Sequence, residues 1–223
     1  MTGREDLINP DERPDDLQIG GLTVIQNPAL YRFSEDAVLL SNFAKVKAGG
    51  KVCDLGTGCG VIALLMSAKT RAKEIYGVEI QSVFAGMASR SVRYNGLEER
   101  IKILNIPMQE AYKELGFESM DSVVCNPPFD RLNMPAEIKS LSTQEACITI
   151  DEVAQSAARL LRFGGRFYVI HRGDRLAEVF RALSAHNLEP KVLRFVRSAP
   201  DKPPHRILIE AVKGGKAGLR IEL

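Results

Sequence analysis

The sequence predicts an α/β fold with a mostly parallel sheet covered by helices on both faces. Three observations carry that expectation. Strand-like runs alternate with helical runs of roughly 10 to 15 residues from Lys51 to His186, glycines cluster after the first of those strands, and the last two strand-like runs have no helix between them. Those last runs, "KVLRFVRS" and "HRILIEAV", imply an antiparallel hairpin closing the sheet through the proline-stiffened "APDKPP".

Taken in order, residues 1–17 are rich in charge and proline, which implies a flexible or loosely packed arm over 1–21 ahead of a single domain spanning 22–223. Leu22 to Ile25 reads as a short strand. Ser34 reads as the N-cap of a helix with Glu35 and Asp36 in its first turn, and Gly49-Gly50 closes that segment. "KVCDL", a glycine-rich turn, "VIALLMSAK", "EIYGVEI" and a helix to Tyr94 then form a β-α-β-α series. It continues through "RIKIL", "DSVVC", a helix over Ile150 to Leu161, "GGRFYVIH" and a helix from Arg175 to His186.

At 223 residues and 45% apolar content the chain can bury one sizeable core. The net charge is only +2, but its distribution is uneven: residues 1–150 carry 16 Lys+Arg against 20 Asp+Glu, and residues 151–223 carry 14 against 8. A basic C-terminal part is compatible with a polyanionic partner, and equally with a solvated charged face. Cys53, Cys59, Cys125 and Cys147 show neither CxxC spacing nor companion histidines, so no metal and no disulfide framework is expected. The polar, acidic N-terminus and the absence of any run near the ~18 apolar residues of a membrane helix lead to the expectation of a cytoplasmic protein with reduced thiols and no membrane partner.

The turn "DLGTGCG" puts Asp54 at a strand end ahead of Gly56, Gly58 and Gly60. Glycines there let the backbone turn tightly and approach a ligand. The spacing is G-x-G-x-G rather than the G-x-G-x-x-G of dinucleotide sites, and a carboxylate beside it would repel a pyrophosphate. Asp54 suits a ligand ammonium, and Glu79, ending the next strand in "GVEI", suits the two hydroxyls of a ribose. Together they favour an adenosyl cofactor without phosphate. Farther on, "SVVCNPPF" ends a buried strand in two prolines, which remove backbone donors and hold Asn126 extended in a stiff loop.

"DLGTGCG", "VEI" and "NPPF" together resemble the class I S-adenosylmethionine-dependent methyltransferases, in particular the branch that methylates exocyclic amines. The resemblance implies a Rossmann-like seven-stranded fold over about Leu22 to Val212, in strand order 3-2-1-4-5-7-6 with an antiparallel last strand. It implies S-adenosylmethionine as cofactor, held by Asp54, Gly56, Thr57, Gly58, Gly60, Glu79, Ile80 and Asn126. Many relatives place an Asp after the third strand to hold the adenine amine; "ILNIPMQEA" offers Pro107 and Met108 there, so Met108 or Gln109 is expected to form that edge.

The catalytic set on this resemblance is Asn126, Pro127, Pro128 and Phe129. An exocyclic amine has its lone pair delocalised into the ring. The Asn126 side-chain oxygen and the Pro127 carbonyl can accept its two N–H groups and localise that pair, while Phe129 stacks on the base. Both chain ends, "GLTVIQNPALYRFSEDAVLLSNF" and "LEPKVLRFVRS…KPPHRILIEAVKGGKAGL", further resemble the bacterial tRNA adenine-N(6) methyltransferases acting beside the anticodon of valine tRNA. Relatives of that group usually continue past the position of Leu223. The likeness implies substrate contacts from Tyr31, Phe33, Asp36, Phe129, His171, Arg172, Arg175, Arg194, Arg197, Lys202, His205 and Arg206, with RNA phosphates meeting the cations. Release-factor glutamine, ribosomal RNA guanine, and a non-enzymatic RNA-binding protein on a degenerate methyltransferase fold stand as alternatives. The oligomeric state is left open.

Overall fold

In the computed structural model, residues 4–30, 33–128, 148–199 and 201–222 are described. A short 3-10 turn at Arg4–Leu7 precedes β1 (Arg13–Asp16), which pairs antiparallel with β2 (Thr23–Gln26) in a separate two-stranded sheet. Then come α1 (Glu35–Phe43), β3 (Lys51–Leu55), α2 (Val61–Lys69), β4 (Glu74–Val78), α3 (Ser82–Tyr94), β5 (Ile101–Leu104), α4 (Ala111–Leu115) and β6 (Met120–Cys125). The described remainder contributes α5 (Ile150–Leu160), β7 (Leu161–Arg172), α6 (Leu176–Ala185), β8 (Leu188–Val196), β9 (Arg206–Lys213) and β10 (Arg220–Glu222).

The main sheet runs β10-β8-β9-β7-β6-β3-β4-β5. Omitting β10, this is the expected 3-2-1-4-5-7-6 order, and β9 lies antiparallel to both its neighbours, β7 and β8. The difference is the eighth strand, β10, which pairs parallel with β8 through three residues. "RIE" is too short and too charged to announce a strand; it is held by pairing and by Glu222, whose carboxylate accepts from Arg194 at 2.6 Å.

Period-two alternation divides the core between the two faces. Phe167 and Val169 of β7 pack beneath α5 and α6, whereas Tyr168 and Ile170 pack with α1, α2 and α3. All four are fully buried, as a sheet covered on both faces requires. Helix α2 is buried from Val61 through Ser67, which explains why its sequence is apolar all round. Helix α5 is instead amphipathic and opens with a capping box, Thr149 accepting from the Glu152 amide and Glu152 from the Thr149 amide. Ser34 occupies the N-cap position of α1 but makes no side-chain capping bond.

The segment expected to be a loose arm is fastened in its described part. Arg90 of α3 holds its Glu12 carboxylate and Leu7 carbonyl. In the strand that follows it, the Ser91 hydroxyl accepts from the Ile25 amide, and Asn95 accepts from the Thr23 amide and donates to its carbonyl. The strand expected over Leu22 to Ile25 forms as Thr23–Gln26, with Val24 and Ile25 fully buried, and it pairs with Arg13–Asp16 and not with the main sheet.

Candidate functional site

At the carboxyl edge of the parallel strands, β3 pairs with β4 on one side and β6 on the other, with Leu55 opposite Val78 and Cys125. The glycine-rich turn, Glu79 and Asn126 therefore leave three adjacent strands at one level, the position where open α/β sheets bind ligands. Gly56, Gly58 and Gly60 have φ of 73°, 56° and 88°, conformations that L side chains rarely adopt. Gly60 is the N-cap of α2, and a Cβ there would meet the Ala88 Cβ at 3.3 Å, so α3 closes directly over the turn.

Asp54 is fully buried. Its Oδ2 accepts the Thr57 hydroxyl at 2.6 Å, and its Oδ1 finds no hydrogen-bond partner among the described residues. Burial pushes its carboxyl up to about 7; the Thr57 hydroxyl and, less strongly, the Ala63 amide oppose this, and the charge of Glu79 adds to it. A buried carboxylate with one unmatched oxygen is poised for a cationic donor, so these residues fit the ammonium of an amino-acid moiety.

Glu79, 6% exposed, accepts the Gly58 amide on Oε2 and the Gln81 amide on Oε1, each at 2.9 Å. Its carboxyl is raised by burial and lowered by the Gln81, Gly58 and Ile80 amides. A carboxylate has about four acceptor directions, so three amides leave it capacity for a ribose hydroxyl. Ile80 follows half-buried. The Asn105 side chain, absent from the sequence expectations, donates to the Glu79 and Ile80 carbonyls at 2.8 and 2.9 Å and so fixes the end of β4. A polar residue directly after a strand was its only signal.

Met108, the residue expected to form the adenine edge, lies beside the glycine turn: a Cβ built on Gly56 would meet its Cε at 3.8 Å. Gln109 differs. Its side chain bonds Glu152 at the start of α5, so it serves the helix start more directly than the turn. Asn126 is half-buried, Pro127 buried and Pro128 exposed. Phe129 and Tyr31 lie outside the described residues.

The cations sort into two groups. Arg172 ends β7, Arg175 begins α6, and Arg197, Lys202 and His205 lie on the β8–β9 connection, all at this same edge. That connection abuts the end of β7, since a Cβ on Gly173 would meet the Pro204 carbonyl oxygen at 2.5 Å. Arg175, Arg197, Lys202 and His205 are exposed. Within this group Arg172 pairs with Asp174 and Arg175 with Glu178, both local ion pairs. The second group is part-buried or buried and held by more distant parts of the fold. Arg206 binds Asp36, Arg194 pairs with Glu222 and lies 4.9 Å above the Phe43 ring, and His171 is buried, with its imidazole pKa lowered chiefly by that burial. Phe33 is half-buried and packs on the core.

The family description Methyltransferase small domain matches residues 34–187. The tRNA1(Val) (adenine(37)-N6)-methyltransferase of Porphyromonas gingivalis is 28% identical over 193 residues, 83% of this chain and 76% of that protein. The protein of the same name from Bacteroides thetaiotaomicron is 26% identical over 209 residues, 92% and 87% of the two chains. Among solved structures, a predicted O-methyltransferase, protein Atu636 from Agrobacterium tumefaciens, superposes with a TM-score of 0.68 at 22% identity, covering 83% of this chain and 84% of that one. At that identity the likeness speaks for the fold alone.

Proposed function

Because the chain belongs to the methyltransferase small domain family, we propose that it methylates N6 of an adenine beside the anticodon of valine tRNA in the cytoplasm, using S-adenosylmethionine. The carrying observation is the register of β3 and β6: with Leu55 opposite Cys125, the glycine turn and the Asn126–Pro127 pair emerge side by side. The two named relatives supply the substrate class and favour the tRNA reading over the release-factor and ribosomal alternatives.

When bound, the cofactor supplies an electrophilic methyl group on a positively charged sulfur. Asp54 would hold its ammonium through the unmatched Oδ1, Glu79 its ribose hydroxyls, and Met108 one face of its adenine. Asn126 offers a side-chain oxygen and Pro127 a carbonyl oxygen; these accept the two N–H groups of the target amine and turn its lone pair toward the glycine turn. Pro127 and Pro128 fix the separation of the two acceptors, so the loop does not reorganise as charge develops on nitrogen. Phe129, outside the described residues, is the residue that would stack on the base. Arg172, Arg175, Arg197, Lys202 and His205 would take the flanking phosphates, while Arg194 and Arg206 brace the strands that carry them.

Incubation with methyl-labelled cofactor and separate tRNA, ribosomal RNA and release-factor pools tests the reading. Label is expected in tRNA, as N6-methyladenosine after digestion to nucleosides. Label confined to protein, or to ribosomal RNA, overturns it.

A further inference from the structure

The N-terminal hairpin ends in a buried carboxamide that the proposed chemistry does not use. Gln26 is the last residue of β2 and only 2% exposed. Its Nε2 donates to Asp15 Oδ2 at 2.7 Å, across the hairpin. Its Oε1 accepts the Phe33 amide at 2.9 Å, just before α1, and the Cys59 thiol at 3.8 Å, inside the glycine turn. One side chain therefore joins the hairpin, the aromatic lead-in to α1 and the turn between Gly58 and Gly60. Asp15 lies close enough to raise the Cys59 thiol pKa electrostatically, with burial as the larger cause.

We infer that Gln26 is a positioning residue, which sets the glycine turn and the Phe33 lead-in as one unit and makes the hairpin a wall of the cofactor site. The inference rests on the proposed cofactor reading. Three properties of the carboxamide suit it to this role. It is neutral, so it adds no further negative charge to those of Asp15, Asp54 and Glu79, which already act on the turn at Cys59. It is both donor and acceptor, so it satisfies Asp15 and the Phe33 amide at once. It is buried, so its bonds are not exchanged for water, and loss of either partner leaves a polar group unmatched. The hairpin has anchorage of its own on α3, through Arg90, Ser91 and Asn95. Gln26 is thus not needed merely to hold the hairpin in place.

The test compares calorimetric binding of S-adenosylhomocysteine with thermal unfolding, on the full chain. Gln26→Met keeps the volume and removes the bonds; its dissociation constant is expected to rise about tenfold, the consequence of unmatched buried polar groups at the turn. The double variant Gln26→Glu with Asp15→Asn exchanges donor and acceptor, since the new amide donates to the new carboxylate, which still accepts from Phe33. It is expected to return to within about threefold of wild type. Asn95→Ala, which loosens the hairpin away from the turn, should lower the melting temperature and leave the dissociation constant unchanged. Gln26→Met binding as tightly as wild type overturns the inference, as does a rise for Asn95→Ala equal to that for Gln26→Met. Failure of the wild-type protein to bind the nucleoside at all would instead overturn the cofactor reading.

Discussion

The Arg206 Nε donates to both carboxylate oxygens of Asp36, at 3.1 Å each, and so ties the first turn of α1 to the first residue of β9 across 170 positions of sequence. Asp36 is buried and Arg206 largely covered. Both were expected to face substrate; the structure has them face each other. Asp36→Asn or Arg206→Ala should then cost about 1–3 kcal/mol of stability, because each leaves a covered charge without its partner. Urea unfolding of both single variants and the double closes a cycle. A pairwise coupling near zero would show that the contact contributes nothing.

Asp54 gives a pH dependence whose sign follows from its burial. With its carboxyl pushed up to about 7, the cofactor-free folded protein retains a proton that the unfolded chain gives up in the ordinary aspartate range. That contribution to stability is complete below the ordinary range and is lost as pH rises through about 7. Asp54→Asn should flatten this decline between acidic and mildly alkaline pH. Ligand affinity runs the other way, since an ammonium needs the carboxylate. Binding of S-adenosylhomocysteine should tighten with rising pH up to about 7, by at most about tenfold per unit. A wild-type dissociation constant that does not vary with pH would exclude Asp54 as the group engaged.

What the sequence made legible was whatever repeats locally. The alternation from Lys51 onward is a period effect, and the glycine turn, Glu79 and Asn126 each follow a strand at short range. Contacts distant along the chain were illegible for the same reason. "RPDD" carries no strand propensity, yet it is β1 because Gln26 and α3 hold it there. Nothing around Gln109 announces Glu152, and nothing around Arg206 announces Asp36. Cations at the carboxyl edge were identifiable as a group. Arg172 and Arg175 pair with acids two and three residues away, Asp174 and Glu178, whereas Arg194 and Arg206 are engaged by acids far along the chain, Glu222 and Asp36.

Asn126→Ala tests the polarisation of the amine. Removing one fixed acceptor from a site that works through positioning and electrostatics should lower the methylation rate on tRNA by roughly 10²–10³. Asn126 is half-buried at a loop, so the melting temperature should change little. Asn126→Asp keeps one acceptor and adds charge, and should recover part of the loss. A wild-type rate for Asn126→Ala, measured as labelled methyl incorporated per minute, would remove the residue from the mechanism.

Arg197 and Lys202 lie exposed on the β8–β9 connection, and Arg194 and Arg206 on the adjoining strands are part-buried beside Glu222 and Asp36. That separation makes the two groups distinguishable by salt. Arg197→Ala with Lys202→Ala should weaken tRNA binding and lower the slope of log affinity against log salt by about one per cation removed. Stability should be unaffected, because exposed side chains at a connection contribute little to it. Arg194→Ala should do the reverse: the cation above the Phe43 ring and its bond to Glu222 are lost, so unfolding comes earlier while the salt slope keeps its wild-type value. Filter binding of tRNA across a salt series, set beside thermal unfolding of the same variants, separates the two effects. A reduced slope for Arg194→Ala would mean that its guanidinium leaves Glu222 to meet phosphate.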